Sequence, residues 1–446
     1  MFRTLIDAFK QKDLRNKILL TLFILLVYRI GCWIPVPGIE PAAFDTSFSG
    51  ESATFLGLLS SITGGALSNG ALLALGVIPY ISASIIMQLL TIAIPSLERL
   101  SKSGDEGRKK IGKITRWAAL ILSTAQAIAI VIAFSTNGAI NTGALGPLIE
   151  ANVPWLVAAI VAAVLIAGGM FTLWLGEKIT DLKIGNGVSL LIFVGILASA
   201  GQAILQSIQA AVADIDKIWS LIIFLGTVIL IFGLIVFIDL AERRIPVQYA
   251  KQIKGRKMYG GQNTHIPIKV NSSGVLPLIF ATALVAFPQL LMSIFWPTSP
   301  AFEWYSTNMG MGSWPFFVVT AILIFFFTYF YSQIAFNPED VSRSLQQNGG
   351  FVQGYRAGKP TADYLKKISS RITFFGATYL AFIFIIPSLA FKSIQDFTTI
   401  GGSAGAAGLV TAFSVTGLLI VVSVALEFDK QLNAQMMMKN YRGFLK

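Results

Sequence analysis

Residues 71–134 read ALLALGVIPYISASIIMQLLTIAI, then PSLERLSKSGDEGRKKIGKITR, then WAALILSTAQAIAIVIAF. Two apolar blocks enclose a polar segment that carries seven Lys and Arg. A helix needs about 20 apolar residues to cross a bilayer, within a range of about 17–25. Each block meets that length, so this stretch reads as two membrane crossings joined by a basic turn. Excess Lys and Arg marks the cytoplasmic side of a membrane.

The same alternation runs through the chain. Of 34 Lys and Arg, 31 fall in six segments: 1–17, 95–116, 176–184, 239–270, 337–371 and 427–446. Lys217 and Lys392 lie in the intervening loops, and Arg29 lies inside the first apolar block. Both termini are therefore expected on the cytoplasmic side, with an even number of crossings. The composition agrees: 54% hydrophobic, 13% charged, mean hydropathy +0.71. A chain of 446 residues could hold several soluble domains, but this one reads as a single polytopic membrane domain. Orientation accounts for most of the net charge of +12. The two largest basic loops exceed what orientation requires, which leaves room for an acidic or RNA-rich partner.

Ten spans are expected: 18–34, 71–94, 117–134, 155–175, 187–208, 218–238, 274–296, 314–334, 372–389 and 407–426. Trp117, Trp155, Trp296 and Trp314 fall at interfaces, where amphipathic rings anchor. The expected fold class is all-α and polytopic, in two inverted halves around a central pore. The first half is 18–208 and the second is 209–426. Residues 1–17 form a surface helix leading into the first span, and 427–446 form a cytoplasmic tail. Five crossings reverse direction, which is the condition for an inverted repeat.

One stretch breaks the pattern. Residues 55–62 are apolar but too short to span, and Gly64-Gly65 and Asn69-Gly70 follow. Lipid cannot satisfy broken backbone, so such a segment lies in protein or lines a wet cavity. It reads either as a half-helix re-entering from outside or as an interfacial loop helix.

Catalytic and metal chemistry have little to stand on. The single Cys32 excludes a disulfide framework. The single His265 cannot supply a metal site with several His ligands. Gly358-Lys359-Pro360-Thr361 lacks the upstream glycine of a phosphate-binding loop. Mid-span Asp, Glu and His are nearly missing, although ion-coupled transporters usually need them. No enzyme, cofactor or metal is expected. Arg29 is the main ionisable residue near a span, and snorkelling offers it a structural role.

The segment LGVIPYISASIIMQLLT (75–91) puts Ser82, Ser84 and Gln88 into an apolar span, with Ile81 and Ile85 on one face. It closely resembles the SecY family of protein-conducting channel subunits. The resemblance covers nearly the whole chain. It includes YRIGCWIPVPGI (28–39), GGALSNG (64–70), GDEGRKKI and TRW (104–117), and WLGEKIT with IGNGVSLLIF (174–193). It continues through ERRIPVQYAK (242–251), THIPIKVNSSGVLPLIFA (264–281) and NPEDVSRSL (337–345).

The resemblance implies a set of roles. Ile81, Ile85, Ile196 and Ile420, with Leu284 from the seventh span, would form an apolar pore ring. Such a constriction dewets and so stops ions without fixed charge. Residues 55–70 would form a plug, with Phe55, Leu58 and Ile62 packing and Gly64, Gly65 and Gly70 as joints. The second and seventh spans would form a lateral gate, with Ser84 and Gln88 as its modest polar contacts. Arg243, Arg244, Lys251, Lys254, Arg256, Lys257, Arg356 and Lys359 would dock cytoplasmic partners. The family usually reads Gly-Ile-Arg-Pro-Gly where this chain has Gly354-Tyr355-Arg356-Ala357-Gly358, so the tip loses a rigid proline.

The function implied is secretion and lateral membrane insertion of proteins at the bacterial cytoplasmic membrane. The partners implied are SecE and often SecG, the SecA motor, the ribosome, signal peptides and nascent chains, and the lipid bilayer. A secondary transporter of small solutes is the rival reading.

Overall fold

The structure, a computed structural model, describes residues 2–37, 60, 63–136, 154–213, 217–249, 252–254, 257–259, 264–272, 274–295, 299–309, 313–399 and 415–443. In chain order the helices are α1 Phe2–Lys10, α2 Lys12–Gly31, α3 Ile78–Ala93, α4 Pro95–Lys102, α5 Asp105–Thr136, α6 Pro154–Asp181 and α7 Gly187–Ala213. They continue with α8 Lys217–Asp239, α9 Leu276–Phe295, α10 Pro300–Asn308, α11 Trp314–Ala335, α12 Pro338–Gln347, α13 Lys359–Thr399 and α14 Val415–Gly443. Strands β1 Glu242–Tyr249, β2 Gln252–Lys254, β3 Lys257–Tyr259 and β4 Thr264–Lys269 follow α8, and β5 Gly350–Val352 follows α12.

Each of the ten expected spans holds a helix, so the all-α polytopic reading stands. Among the described residues five helical stretches are long and apolar enough to cross a membrane. The bent pair α3 and α4, turning by 107°, makes a sixth. Only 33–44% of the residues in the five best apolar windows are buried within the chain. The rest are partly or fully exposed, as are Ile121 and Ile128 on α5, and outside those windows Leu19, Leu22, Phe23 and Leu26 on α2 are exposed too. A water-soluble surface does not tolerate apolar faces of that extent, whereas lipid does.

Two differences from the expected elements matter. The second span does not begin at residue 71. The chain makes turns through 63–77, and α3 starts at Ile78 with Pro79 in its first turn, where a missing N–H costs nothing. The loop after α8 is not irregular either. It forms two antiparallel ladders, β4-β1-β5 and β2-β3.

The chain divides into two compact units. The first comprises 1–222, 286–313 and 392–446, and the second comprises 223–285 and 314–391. The cuts fall inside α8, α9 and α13, so compactness divides the chain differently from topology.

In the first unit α3 packs on α5, α5 on α6, α6 on α7, and α7 on α14. Ala83, Ala119 and Leu173 form the α3–α5–α6 seam, where small residues let the helices approach closely. Gly168 on α6 is required where that helix meets the turn before α3: a Cβ at this position would lie 1.9 Å from the carbonyl oxygen of Leu72. At the basic end, Ala8 of α1, Ile18 of α2, Ile184 and Leu432 of α14 share one cluster. The Gln435 amide also donates to the Lys183 carbonyl. The first and last helices of the chain therefore pack on each other.

In the second unit the basic loops build a small domain of their own. β1 is antiparallel to both β4 and β5, with Ile245 opposite Ile266 and Val247 opposite Thr264 and Val352. Ile245, Val247, Ile268, Leu345, Val352 and Leu365 form its core. The apolar residues alternate along β1 because side chains on a strand point to opposite faces. That leaves Arg244 and Pro246 exposed on the other face, and Arg243, near the start of the strand, is exposed as well.

Candidate functional site

Three segments of the first unit meet at Gly64. The Arg29 guanidinium, in the last turn of α2, donates a hydrogen bond of 2.6 Å from Nη1 to the Gly64 carbonyl. Gly64 has φ +71, a conformation that costs a residue with a Cβ and costs glycine little. A Cβ there would also lie 2.5 Å from Arg29 Nη1 and 2.9 Å from the Gly195 Cα on α7. Glycine is thus demanded twice, by angle and by space. One turn beyond Arg29, the Cys32 thiol points at the Thr63 carbonyl, 3.8 Å away.

Beyond Gly64 the turn is anchored. Gly65 and Gly70 also have positive φ, +84 and +56. The Gly65 N–H donates to the Ser60 carbonyl, and the Ser60 hydroxyl donates to Ser68. Val36 N–H donates to Gly70 O and Leu72 N–H to Ile34 O, so the chain on either side of Pro35 and Ala71 is paired. Leu67, Ala74 and Leu75 pack with Val36, Ala127, Val131, Val157, Val161 and Leu165. Broken backbone at this place is therefore satisfied by protein, as a membrane interior demands. The expected half-helix residues Phe55, Leu58 and Ile62 lie outside the described residues.

The expected ring residues are distributed as follows. Ile196 and Ile420 are each 3% exposed, on α7 and α14, which pack together. Ile81 and Ile85 are half-buried on α3. Leu284 lies in the second unit and is 50% exposed. Ile196 directly follows Gly195, so the turn at Gly64 lies against the backbone beside one of the expected ring residues. Gln88 is exposed on α3, with its amide 3.5 Å from the Ser84 hydroxyl one turn back.

The residues expected to dock partners fall on the second unit. Arg243 and Arg244 are exposed on β1, where Arg244 Nε pairs with Glu242 at 2.8 Å. Lys254 and Lys257 lie on the β2–β3 hairpin, while Lys251 and Arg256 lie outside the described residues. Arg356 is exposed at the tip between β5 and α13, and Lys359 is exposed at the first position of α13. The tip keeps a defined shape without the proline. The Thr361 hydroxyl donates to the Arg356 carbonyl at 2.7 Å, the Ser342 hydroxyl to Gly358 O at 2.7 Å, and Tyr355 stacks on Tyr364 with centroids 4.0 Å apart. A cavity of about 720 Å³ opens under the tip, lined by Ser342, Arg343, Lys359, Asp363, Lys366 and Thr373 among others.

Arg29 is the functional candidate that residue-by-residue reading passed over. The available signal was a charge within an apolar block, which by default marks a functional position with a partner. Among the described residues no group of three His, Cys, Asp or Glu side chains could hold a metal ion.

Comparison with known proteins places this arrangement. Residues 71–428 match the SecY family. The protein translocase subunit SecY of Streptomyces griseus is 38% identical, with all of both chains covered. The subunit of the same description from Halalkalibacterium halodurans is also 38% identical over the full length of both. A solved structure concerned with the SecY plug domain, described as stabilising the closed state of the translocation channel and maintaining a membrane seal, superposes with a TM-score of 0.59. It is 20% identical and covers 93% of this chain and 91% of its own. Sec61 from a canine ribosome-channel complex superposes with a TM-score of 0.57, again at 20% identity and with the same coverage.

Proposed function

Because the chain belongs to the SecY family, we propose that it is the central subunit of a protein-conducting channel, passing unfolded polypeptides across a membrane and releasing apolar segments sideways into lipid. The full-length match to translocase subunits carries this reading. The geometry supports it through the jointed turn 63–77, which is set among spans where an ordinary bundle would have helix. Nothing in the relatives favours a small-solute transporter, and the spans lack the ionisable residues such a carrier uses.

The resting barrier is the apolar ring to which Ile81, Ile85, Ile196 and Ile420 of the first unit contribute, closed by a plug whose base is the Gly64–Gly70 turn. A ring of branched alkyl groups expels water from a narrow constriction and offers no charge to bind, so it blocks ions yet yields to varied side chains. The gate lies on α3, with Ser84 and Gln88 as its reversible polar contacts of about 1 kcal/mol. Opening requires a signal peptide, which binds the open state better than the closed one and so shifts the population.

The exposed cations of β1 and the 354–359 tip, together with Lys254 and Lys257 of the β2–β3 hairpin, form the partner-docking face. Arginine there pairs bidentately with carboxylate or phosphate. That suits a SecA-type motor and ribosomal RNA, and a channel whose relative was solved with a ribosome supports the second. The chain catalyses no reaction itself. Its setting is the bacterial inner membrane, with both termini cytoplasmic and with SecE and SecG as small membrane partners.

The test is reconstitution of the purified complex into vesicles. Protease-protected uptake of a reporter precursor, dependent on an added motor and ATP, is expected. Uptake of small solutes without precursor uptake would refute the reading.

A further inference from the structure

We infer that Arg29 is a positioning residue for the resting barrier: it clamps the Gly64 turn between the first-span helix α2 and the fifth-span helix α7. The inference rests on the channel reading above and deepens it. Guanidinium stays protonated in any protein setting. Placed near lipid, it needs an acceptor, and the structure gives it the Gly64 carbonyl at 2.6 Å. A hydrogen bond with a charged donor is about twice as strong as a neutral one. Its acceptor is the backbone of the joint itself, so the bond acts on the path of the chain rather than on a side chain.

The opposite face of that joint has no slack. A Cβ at Gly64 would lie 2.9 Å from the Gly195 Cα, and the neighbour of Gly195 is Ile196. From residue 66 onward the turn is bonded to 34–36 and packed on α5 and α6, so this part is a fixed base. Gly64 and Gly65 lie immediately before that base and have the backbone freedom to pivot. Arg29 holds the pivot at the height of a ring position. Moving the turn off α7 means breaking the Arg29 bond, and the clamp therefore biases the channel toward its sealed state. A cation that merely complements the carbonyl end of a helix would be indifferent to where Gly64 sits.

The experiment uses the complete complex in planar bilayers with no precursor and reads resting ion conductance. Arg29→Gln removes the charge, Arg29→Lys keeps it with a single ammonium donor, and Gly64→Ala displaces the carbonyl while leaving Arg29 intact. Arg29→Gln and Gly64→Ala are each expected to raise resting conductance roughly tenfold, the scale of one charged hydrogen bond. Arg29→Lys should fall between them and wild type. The double variant should leak no more than the worse single one, because both remove the same contact. Wild-type conductance in an assembled Arg29→Gln complex overturns the clamp, as does a double variant whose effects multiply. If Arg29→Gln fails to assemble, Gly64→Ala decides on the same reading. A wild-type complex that transports no precursor in the same bilayers refutes the channel reading instead, which keeps the two failures apart.

Discussion

Ile81 and Ile85 are separated by one helical turn on α3 and are half-buried, whereas Ile196 and Ile420 are almost fully buried. An isoleucine in an apolar span carries no signal of its own, because ordinary packing uses the same residue. Only the family resemblance singled these out. Replacing Ile81 and Ile85 together with Ser should let water into the constriction and raise resting conductance severalfold; unchanged conductance would remove both from the ring. Arg29 teaches the reverse lesson. Its charge in a span was visible in the sequence, but its partner was not. The acceptor is a backbone carbonyl 35 residues away, and every residue has one.

At the scale of elements, the helices followed from hydropathy and the β domain did not. Basic residues in ERRIPVQY announce a polar loop, and only Ile245 and Val247 hint at alternation. The pairing of β1 with β4 and β5 joins segments about 20 and 100 residues apart, which no local pattern encodes. The tip shows the same limit. Losing a proline suggests a looser loop, yet Thr361, Ser342 and the Tyr355–Tyr364 stack hold it. The exposed Arg356 is therefore presented from a fixed frame. Arg356→Glu should abolish motor-driven precursor transport while the complex remains assembled, since a reversed charge repels whatever the arginine attracts. Normal transport rates from that variant would show that the tip is dispensable.

For the whole molecule, the packing of α1 against α14 brings the two ends of the chain together. Charge counting sets the expectation that both ends lie on the cytoplasmic side. In a Cys32→Ser background, Lys12→Cys and Ala434→Cys should both react with a membrane-impermeant maleimide, and only from the cytoplasmic side. Labelling of the two from opposite sides would mean an odd number of crossings.

Hydropathy by itself determined that this chain crosses a membrane repeatedly, and the placement of Lys and Arg set the expectation of which way it faces. Those are properties of transfer between water and lipid, and each segment expresses them alone. The tertiary structure decided what depends on two distant segments meeting: the Arg29–Gly64–Gly195 contact, the sheet built from two loops, and the braced tip. Hydrogen bonds and close packing act only at contact distance, and the chain's path to that contact is settled by the fold.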